Sequence, residues 1–159
     1  MKRLIQKLSV LLVALTLLAA TLPASRAGAA TCGFTAIAGL SFGAYDVFGP
    51  NVDTAGTIIY TCTGVLPGDN VVITLSIGGA PTYNPRQMQS GANRLDYNAY
   101  LDASRVLIWG DGTGPTSIYG PVVPPEGVPV NVPMFGRIPS GQDVAVGAYT
   151  DSVVITMIF

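Results

Sequence analysis

The chain has 159 residues, of which 49% are hydrophobic and 11% are charged, and it contains two cysteines and no histidine. The absence of histidine removes the commonest proton shuttle and a preferred zinc ligand. Beyond residue 29 the chain has no lysine, and its four arginines and nine acidic residues give a formal charge of −5. Binding to nucleic acid or to an anionic membrane surface is not expected, because the basic residues that would release counterions are missing.

The first 29 residues have the pattern of a secretory signal peptide. Basic residues at positions 2, 3 and 7 precede an apolar run over residues 8–22, and Ala27-Gly28-Ala29 supplies the small residues of a cleavage site. A run of about 15 residues is shorter than the roughly 20 that a spanning helix needs. We predict a signal peptide over residues 1–29, one domain over residues 30–159, and export without insertion of the mature chain in the membrane.

The remaining sequence predicts an all-β domain. Runs rich in Val, Ile, Thr and Tyr alternate with Gly, Pro, Asn and Asp at a spacing typical of a sandwich or barrel, and no helical apolar period is sustained. The predicted strands cover residues 56–63, 70–77, 94–101, 105–109, 128–135 and 148–159. Turn residues at positions 67–70, 78–79 and 110–112 separate several of them.

Alternation within these runs predicts which side chains face the core. In the first strand, Ile58, Tyr60 and Cys62 share one face. Residues 121–133 contain too many prolines for a central strand, because each proline removes a donor from the hydrogen-bond ladder. We therefore predict an edge or crossover segment there.

The two cysteines, Cys32 and Cys62, predict one disulfide, because an exported chain folds in an oxidising compartment. A catalytic or metal-binding thiol pair is the alternative. That alternative lacks a histidine partner and the short cysteine spacing of metal sites.

Catalytic chemistry has few candidate residues. Without histidine and mature lysine only carboxylates are left, and a carboxylate-pair hydrolase is the alternative they allow. Most of the acidic residues stand in turns or at strand ends, where their side chains have structural roles. We predict that the protein is not an enzyme and that it needs no cofactor or metal.

The segment Trp109-Gly110-Asp111-Gly112-Thr113-Gly114 fits neither a phosphate loop nor a calcium loop. The segment lacks the lysine of a phosphate loop and the spaced carboxylates of a calcium loop. We interpret it as a tight loop between strands with Trp109 packed or half-exposed. The alternative is a ligand contact, in which Trp109 stacks on a sugar or touches a partner.

The last predicted strand has an apolar face made of Val153, Ile155, Met157 and Phe159. An apolar strand in a small sandwich either finds neighbours on both sides or leaves a sheet edge open to another chain. The sequence therefore predicts either a closed sheet or an accepting edge at this strand.

Several short motifs follow one another along the chain. They are Cys32-Gly33-Phe34, Leu40-Ser41-Phe42-Gly43-Ala44-Tyr45, Gly56 with Thr61-Cys62-Thr63, Arg86-Gln87-Met88, Leu95-Asp96-Tyr97-Asn98-Ala99-Tyr100, Leu107-Ile108-Trp109-Gly110-Asp111-Gly112, Pro133-Met134-Phe135-Gly136-Arg137-Ile138 and Gly147-Ala148-Tyr149-Thr150-Asp151. From Cys32 to Phe159 the chain resembles the spore coat protein U domain, the fold of subunits in archaic chaperone-usher pili of Gram-negative bacteria.

The resemblance implies an immunoglobulin-like β-sandwich that lacks its last strand. It implies that a periplasmic chaperone lends a strand, that an outer-membrane usher assembles the subunits, and that a neighbouring pilus subunit later supplies the strand, in a surface fibre for adhesion and biofilm formation. Cys32 and Cys62 match the family's disulfide. The apolar C-terminal face named above matches the strand that borders the groove and contacts the chaperone.

One departure from the family pattern bears on the role of the subunit. Subunits that polymerise carry an alternating apolar segment before the first cysteine, whereas here at most Ala30 and Thr31 would follow cleavage. We expect a subunit that accepts a strand and has none to donate, at a fibre tip or in a non-polymerising secreted coat. A second alternative is a carbohydrate-binding sandwich, whose sugar-stacking aromatics would be Trp109, Tyr83, Tyr97, Tyr100 and Tyr119.

Overall fold

The computed structural model describes residues 29–159, so the predicted signal peptide, apart from its last residue, Ala29, lies outside the described residues. Within that range the chain forms eight β-strands and no helix, and therefore no helix that could cross a membrane. The strands are β1 (Thr31–Ala38), β2 (Val52–Thr63), β3 (Val71–Leu75), β4 (Arg86–Ser90), β5 (Asn93–Tyr100), β6 (Tyr119–Val122), β7 (Val130–Ile138) and β8 (Ile155–Ile158). The predicted all-β class is confirmed.

The strands form two antiparallel sheets. The larger sheet has the order β1-β2-β7-β5-β4, and the smaller has the order β6-β3-β8. Ile58 and Tyr60 of β2 and Ile73 of β3 are 0% exposed and belong to one core cluster that both sheets share. This arrangement confirms the predicted sandwich and the core face of the first predicted strand.

Two predicted strands are wrong in their extent. Residues 105–109 do not form a strand, because Arg105 adopts a left-handed backbone with φ of 59° and only Ile108 and Trp109 make isolated bridges. The predicted strand over residues 148–159 is regular only in β8. Strands β1 and β4 were not predicted, because their short sequences lack a sustained run of β-branched residues, and β6 overlaps the predicted edge or crossover segment only at residues 121 and 122.

The proline-rich segment is partly different from the prediction. Pro121 lies in β6, an edge strand as expected, but Pro133 lies in β7, which runs between β2 and β5. β5 pairs with β7 only opposite Phe135, Gly136 and Arg137. At Pro133 the strand has a neighbour on one side only, so a residue without an amide hydrogen is tolerated there.

Candidate functional site

A disulfide attaches the first edge strand to its sheet. Cys32 of β1 stands directly opposite Cys62 of β2, and the two form a disulfide with an S–S distance of 2.00 Å. This confirms the predicted bridge and contradicts the alternative of a reactive thiol pair, because both sulfurs are bonded. The bond fixes β1 in place although it has only one strand neighbour.

An apolar cavity of about 470 Å³ opens between the edges of the two sheets. One wall is the end of β1 and the segment after it, including Ile37 and Phe42, and the other is the chain from Tyr149 to Ile155. The floor consists of core side chains from both sheets: Leu75, Met88, Tyr97, Ala99 and Met134. These floor side chains are at most 9% exposed, so the cavity lies directly over the packed core of the sandwich.

A second cavity of about 690 Å³ continues from the first. The two cavities share Leu40, Phe42, Met88 and Tyr149, and the second extends between residues 40–47 and 144–149. We call the two cavities together the groove. Its walls contain little regular strand, and among the described residues β1 and β8, the strands beside it, each pair with one neighbour only.

The groove borders the strand that the sequence predicts to be functional. Ile155 and Met157 pair with Leu75 and Ile73 of β3 and, like Val153, pack on the core while staying partly exposed. Phe159 follows the end of β8 and is 54% exposed. The structure therefore brings Val153, Ile155 and Met157 together on the core side and leaves Phe159 beyond the strand.

A buried arginine, which the sequence analysis named only within a family motif, lies beside the groove floor. Arg86 in β4 is 0% exposed, and its guanidinium donates hydrogen bonds to Ser76 O, Asn98 Oδ1 and Trp109 O. Burial lowers the pKa of this guanidinium from its ordinary value. No charge pattern in the sequence distinguishes Arg86 from an exposed strand arginine, so its role could not be predicted.

An acidic residue fixes the wall of the groove. Asp151 Oδ2 accepts a hydrogen bond of 2.8 Å from the Tyr97 hydroxyl, and Asp151 Oδ1 accepts one of 2.8 Å from the Gly79 amide. Burial and the hydrogen bond to Asp151 raise the pKa of Tyr97. The carboxylate lies so close to Gly78 that a Cβ there would collide with it, and Gly78 has a φ of 69°. Residues 78 and 79 thus form the predicted turn and also hold the wall.

Trp109 is a core residue. Its side chain is 0% exposed, its indole nitrogen donates a hydrogen bond of 2.9 Å to Ile73 O, and its ring packs against Tyr119. The alternative role of Trp109 as a ligand contact is therefore wrong for this structure, because no face of the ring reaches solvent. Tyr97 is also buried, at 5% exposed, so two of the aromatics offered for sugar stacking are unavailable.

Residues 29–159 contain no group of three acidic, cysteine or histidine side chains placed to hold a metal ion. The acidic residues at the loops instead bind backbone amides. Glu126 accepts hydrogen bonds from the amides of Gly64 and Val65, and Asp102 accepts them from Val106 and Leu107. Their roles are structural, as turn contexts predict.

Comparison with known proteins gives three related findings. The family model described as Spore Coat Protein U domain matches residues 18–156. Protein U of Myxococcus xanthus is 32% identical over an alignment of 134 positions, and the alignment covers 76% of this chain and 71% of that protein. A chain in the crystal structure of the CsuC-CsuE chaperone-tip adhesion subunit pre-assembly complex, from archaic chaperone-usher Csu pili of Acinetobacter baumannii, has a TM-score of 0.56 and 20% identity.

The structural match covers 82% of this chain but only 40% of the other. At this identity the likeness shows the fold alone, and it confirms the predicted immunoglobulin-like β-sandwich. The groove lies between the edges of the two sheets of that fold.

Proposed function

The chain belongs to the Spore Coat Protein U domain family, and we propose that it is a structural subunit of a secreted surface assembly, a pilus or a coat, which takes up a β-strand from a partner. One observation carries the proposal: an apolar cavity lined by core side chains of both sheets lies between two strand edges that have no strand partner among residues 29–159. The family and the fold are those of structural pilus and coat proteins, which supports a function other than catalysis.

An added strand would pair with the free sheet edge and would also cover the apolar floor of the groove. The backbone of an added strand hydrogen-bonds to an unpaired sheet edge, and its alternate side chains enter the apolar floor. Val153, Ile155 and Met157 are partly exposed now and would become buried. Because apolar burial contributes roughly 25 cal/mol per Å², completing the core stabilises the subunit and holds the partner at the same time.

The partners that we propose are those implied by the resemblance to chaperone-usher pilus subunits. We propose that the chain is exported to the periplasm, where a chaperone supplies the strand, and that an usher in the outer membrane then places the subunit beside its neighbours at the cell surface. Adhesion and biofilm formation would be the work of the completed assembly. The chaperone-subunit complex named for the matched structure supports a chaperone as the first partner.

The proposal is tested by changing the two faces of β8 separately. Ile155→Asp places a charge on the groove face, which costs several kcal/mol when the groove closes around it. Thr156→Asp is the matched control, because the neighbouring Thr156 is exposed on the opposite face. We expect Ile155→Asp to lose its chaperone in the periplasm and Thr156→Asp to keep it.

The readout is co-purification of the tagged subunit from periplasm, followed by intact mass and N-terminal sequencing of every chain recovered. A wild-type subunit with a chaperone-sized partner supports the proposal. A wild-type subunit that is a stable, partner-free monomer, or an Ile155→Asp subunit that captures the chaperone as well as wild type, contradicts it.

A further inference from the structure

Arg86 connects the two sheets of the sandwich through a single side chain. It belongs to β4 of the five-stranded sheet, while its Nε and one terminal nitrogen donate hydrogen bonds of 3.0 and 2.9 Å to Ser76 O, immediately after β3 of the three-stranded sheet. Its other donors reach Asn98 Oδ1 at 2.8 Å and Trp109 O at 2.6 Å. The guanidinium therefore joins both sheets and the loop after β5.

Burying the Arg86 guanidinium in the core has a cost in desolvation free energy. Its side chain is fully buried, all its hydrogen-bond acceptors are uncharged, and within residues 29–159 it makes no ion pair. A buried charge without a counterion carries a desolvation cost that an apolar side chain avoids. What the guanidinium adds is a rigid, planar set of donors, which fixes the relative position of the groups it binds.

Ser76 links the Arg86 guanidinium to the groove wall through hydrogen bonds. Its carbonyl is held by Arg86, its amide donates a hydrogen bond of 2.9 Å to Val154 O, and its hydroxyl accepts one of 2.9 Å from the Val154 amide. Val154 stands between Val153 and Ile155, which line the groove. A continuous path of hydrogen bonds thus runs from the buried guanidinium to the wall that a strand would contact.

From this geometry we infer that Arg86 is a positioning residue, which acts through Ser76 to hold the two sheets at the spacing of the empty groove. The inference rests on the proposed strand uptake and concerns what keeps the two sheets apart at the groove before a strand binds. A filled groove would have its own link between β1 and β8, because the added strand pairs with an edge of each sheet. Arg86 is then needed most while the groove is empty.

The test compares wild type and Arg86→Met, each as the mature chain and as the same chain with a strand fused after Phe159. The fused segment is a Gly-Ser turn followed by roughly ten alternating Val and Thr residues, which is long enough for one strand. Val71→Ala is the matched control, because Val71 is 0% exposed and does not line the groove. Chemical unfolding midpoints are measured for these six proteins and for Ser76→Ala in the same two forms.

We expect Arg86→Met to lower the midpoint more in the empty form than in the fused form, and Val71→Ala to lower both equally. Equal shifts for Arg86→Met would overturn the inference. If Arg86→Met folds only when fused, the inference is supported, whereas loss of folding in both forms contradicts it. Ser76→Ala, which removes only the hydroxyl acceptor, should repeat the unequal shift in a milder form, and equal shifts for this variant would also contradict the inference.

Failure of the proposed function has a different signature. If the fused strand does not raise the midpoint of the wild-type chain, the groove does not accept a strand, and strand uptake is wrong whatever Arg86 does. If the fused strand raises the wild-type midpoint and Arg86→Met shifts both forms alike, strand uptake stands and only the role of Arg86 is rejected.

Discussion

The closed side and the open side of the sandwich are built from the same kind of sequence. Ile58 and Tyr60 lie on the inward face of β2 and are 0% exposed, because β3 and the loop that carries Trp109 cover them. Ile155 and Met157 lie on the inward face of β8 and remain partly exposed, and Ile155 lines the groove. An alternating pattern thus identifies the inward face of a strand, whereas burial depends on whether another layer is present.

The largest effect is expected on the closed side. Trp109→Ala removes a fully buried ring and the donor to Ile73 O, and should lower the free energy of unfolding by about 3–5 kcal/mol. Urea unfolding followed by circular dichroism measures the loss. Val106→Ala, at a side chain that is 73% exposed, should change it by less than about 0.5 kcal/mol. A tolerated Trp109→Ala would contradict the core assignment.

Removing the disulfide should cause the second-largest loss of stability. It closes a loop of 30 residues, and replacing Cys32 and Cys62 together by serine should reduce stability by about 3 kcal/mol through the unfolded state. Because the bridge attaches an edge strand beside the groove, we also expect faster hydrogen exchange in β1 than in β7. Unchanged exchange in β1 would show that the backbone pairing of β1 with β2 suffices without the bond.

On the open side the cost of a substitution should depend on whether the groove is filled. Met157→Ala should cost about 1–2 kcal/mol in the empty subunit, where the side chain is only partly buried, and more with the fused strand in place. Ile158→Ala is the control, because Ile158 is 58% exposed on the outer face. Equal costs of Met157→Ala in both forms would mean that the strand does not cover this residue.

The smallest effect is expected on the surface of the large sheet. The hydrogen bond from Arg137 and the nearby charge of Arg105 hold the pKa of Asp53 below its ordinary value. A depressed pKa contributes stability above the unfolded pKa of about 4, and that contribution is lost as the pH falls through the folded value.

Asp53→Asn should therefore cost less than about 1 kcal/mol at neutral pH, since the pair is exposed, and the difference from wild type should shrink in acid. Unfolding midpoints from neutral pH down to acid measure it. The control is Asp143→Asn, an exposed residue that makes no ion pair among the described residues. A difference that grows in acid would contradict the assigned direction.

The parts of the fold that could be predicted depend on local pattern. Alternation in β2 identified its core face, and two cysteines in an exported chain predicted the bridge. The groove walls could not be predicted in this way, because residues 39–51 and 139–154 form no regular strand. Arg86 was also beyond sequence reasoning, because its four hydrogen bonds join residues that are distant along the chain.

The all-β class, the disulfide and the apolar face of the last strand could all be predicted from residue type and from a period of two along the backbone. Contacts between distant parts of the chain place Pro133 in an interior strand, bury Trp109 and leave a cavity between β1 and the chain before β8. The physical reason is that these features depend on which strands become neighbours. Long-range packing between the two sheets determines which strands are neighbours, and no single run of residues is enough to predict it.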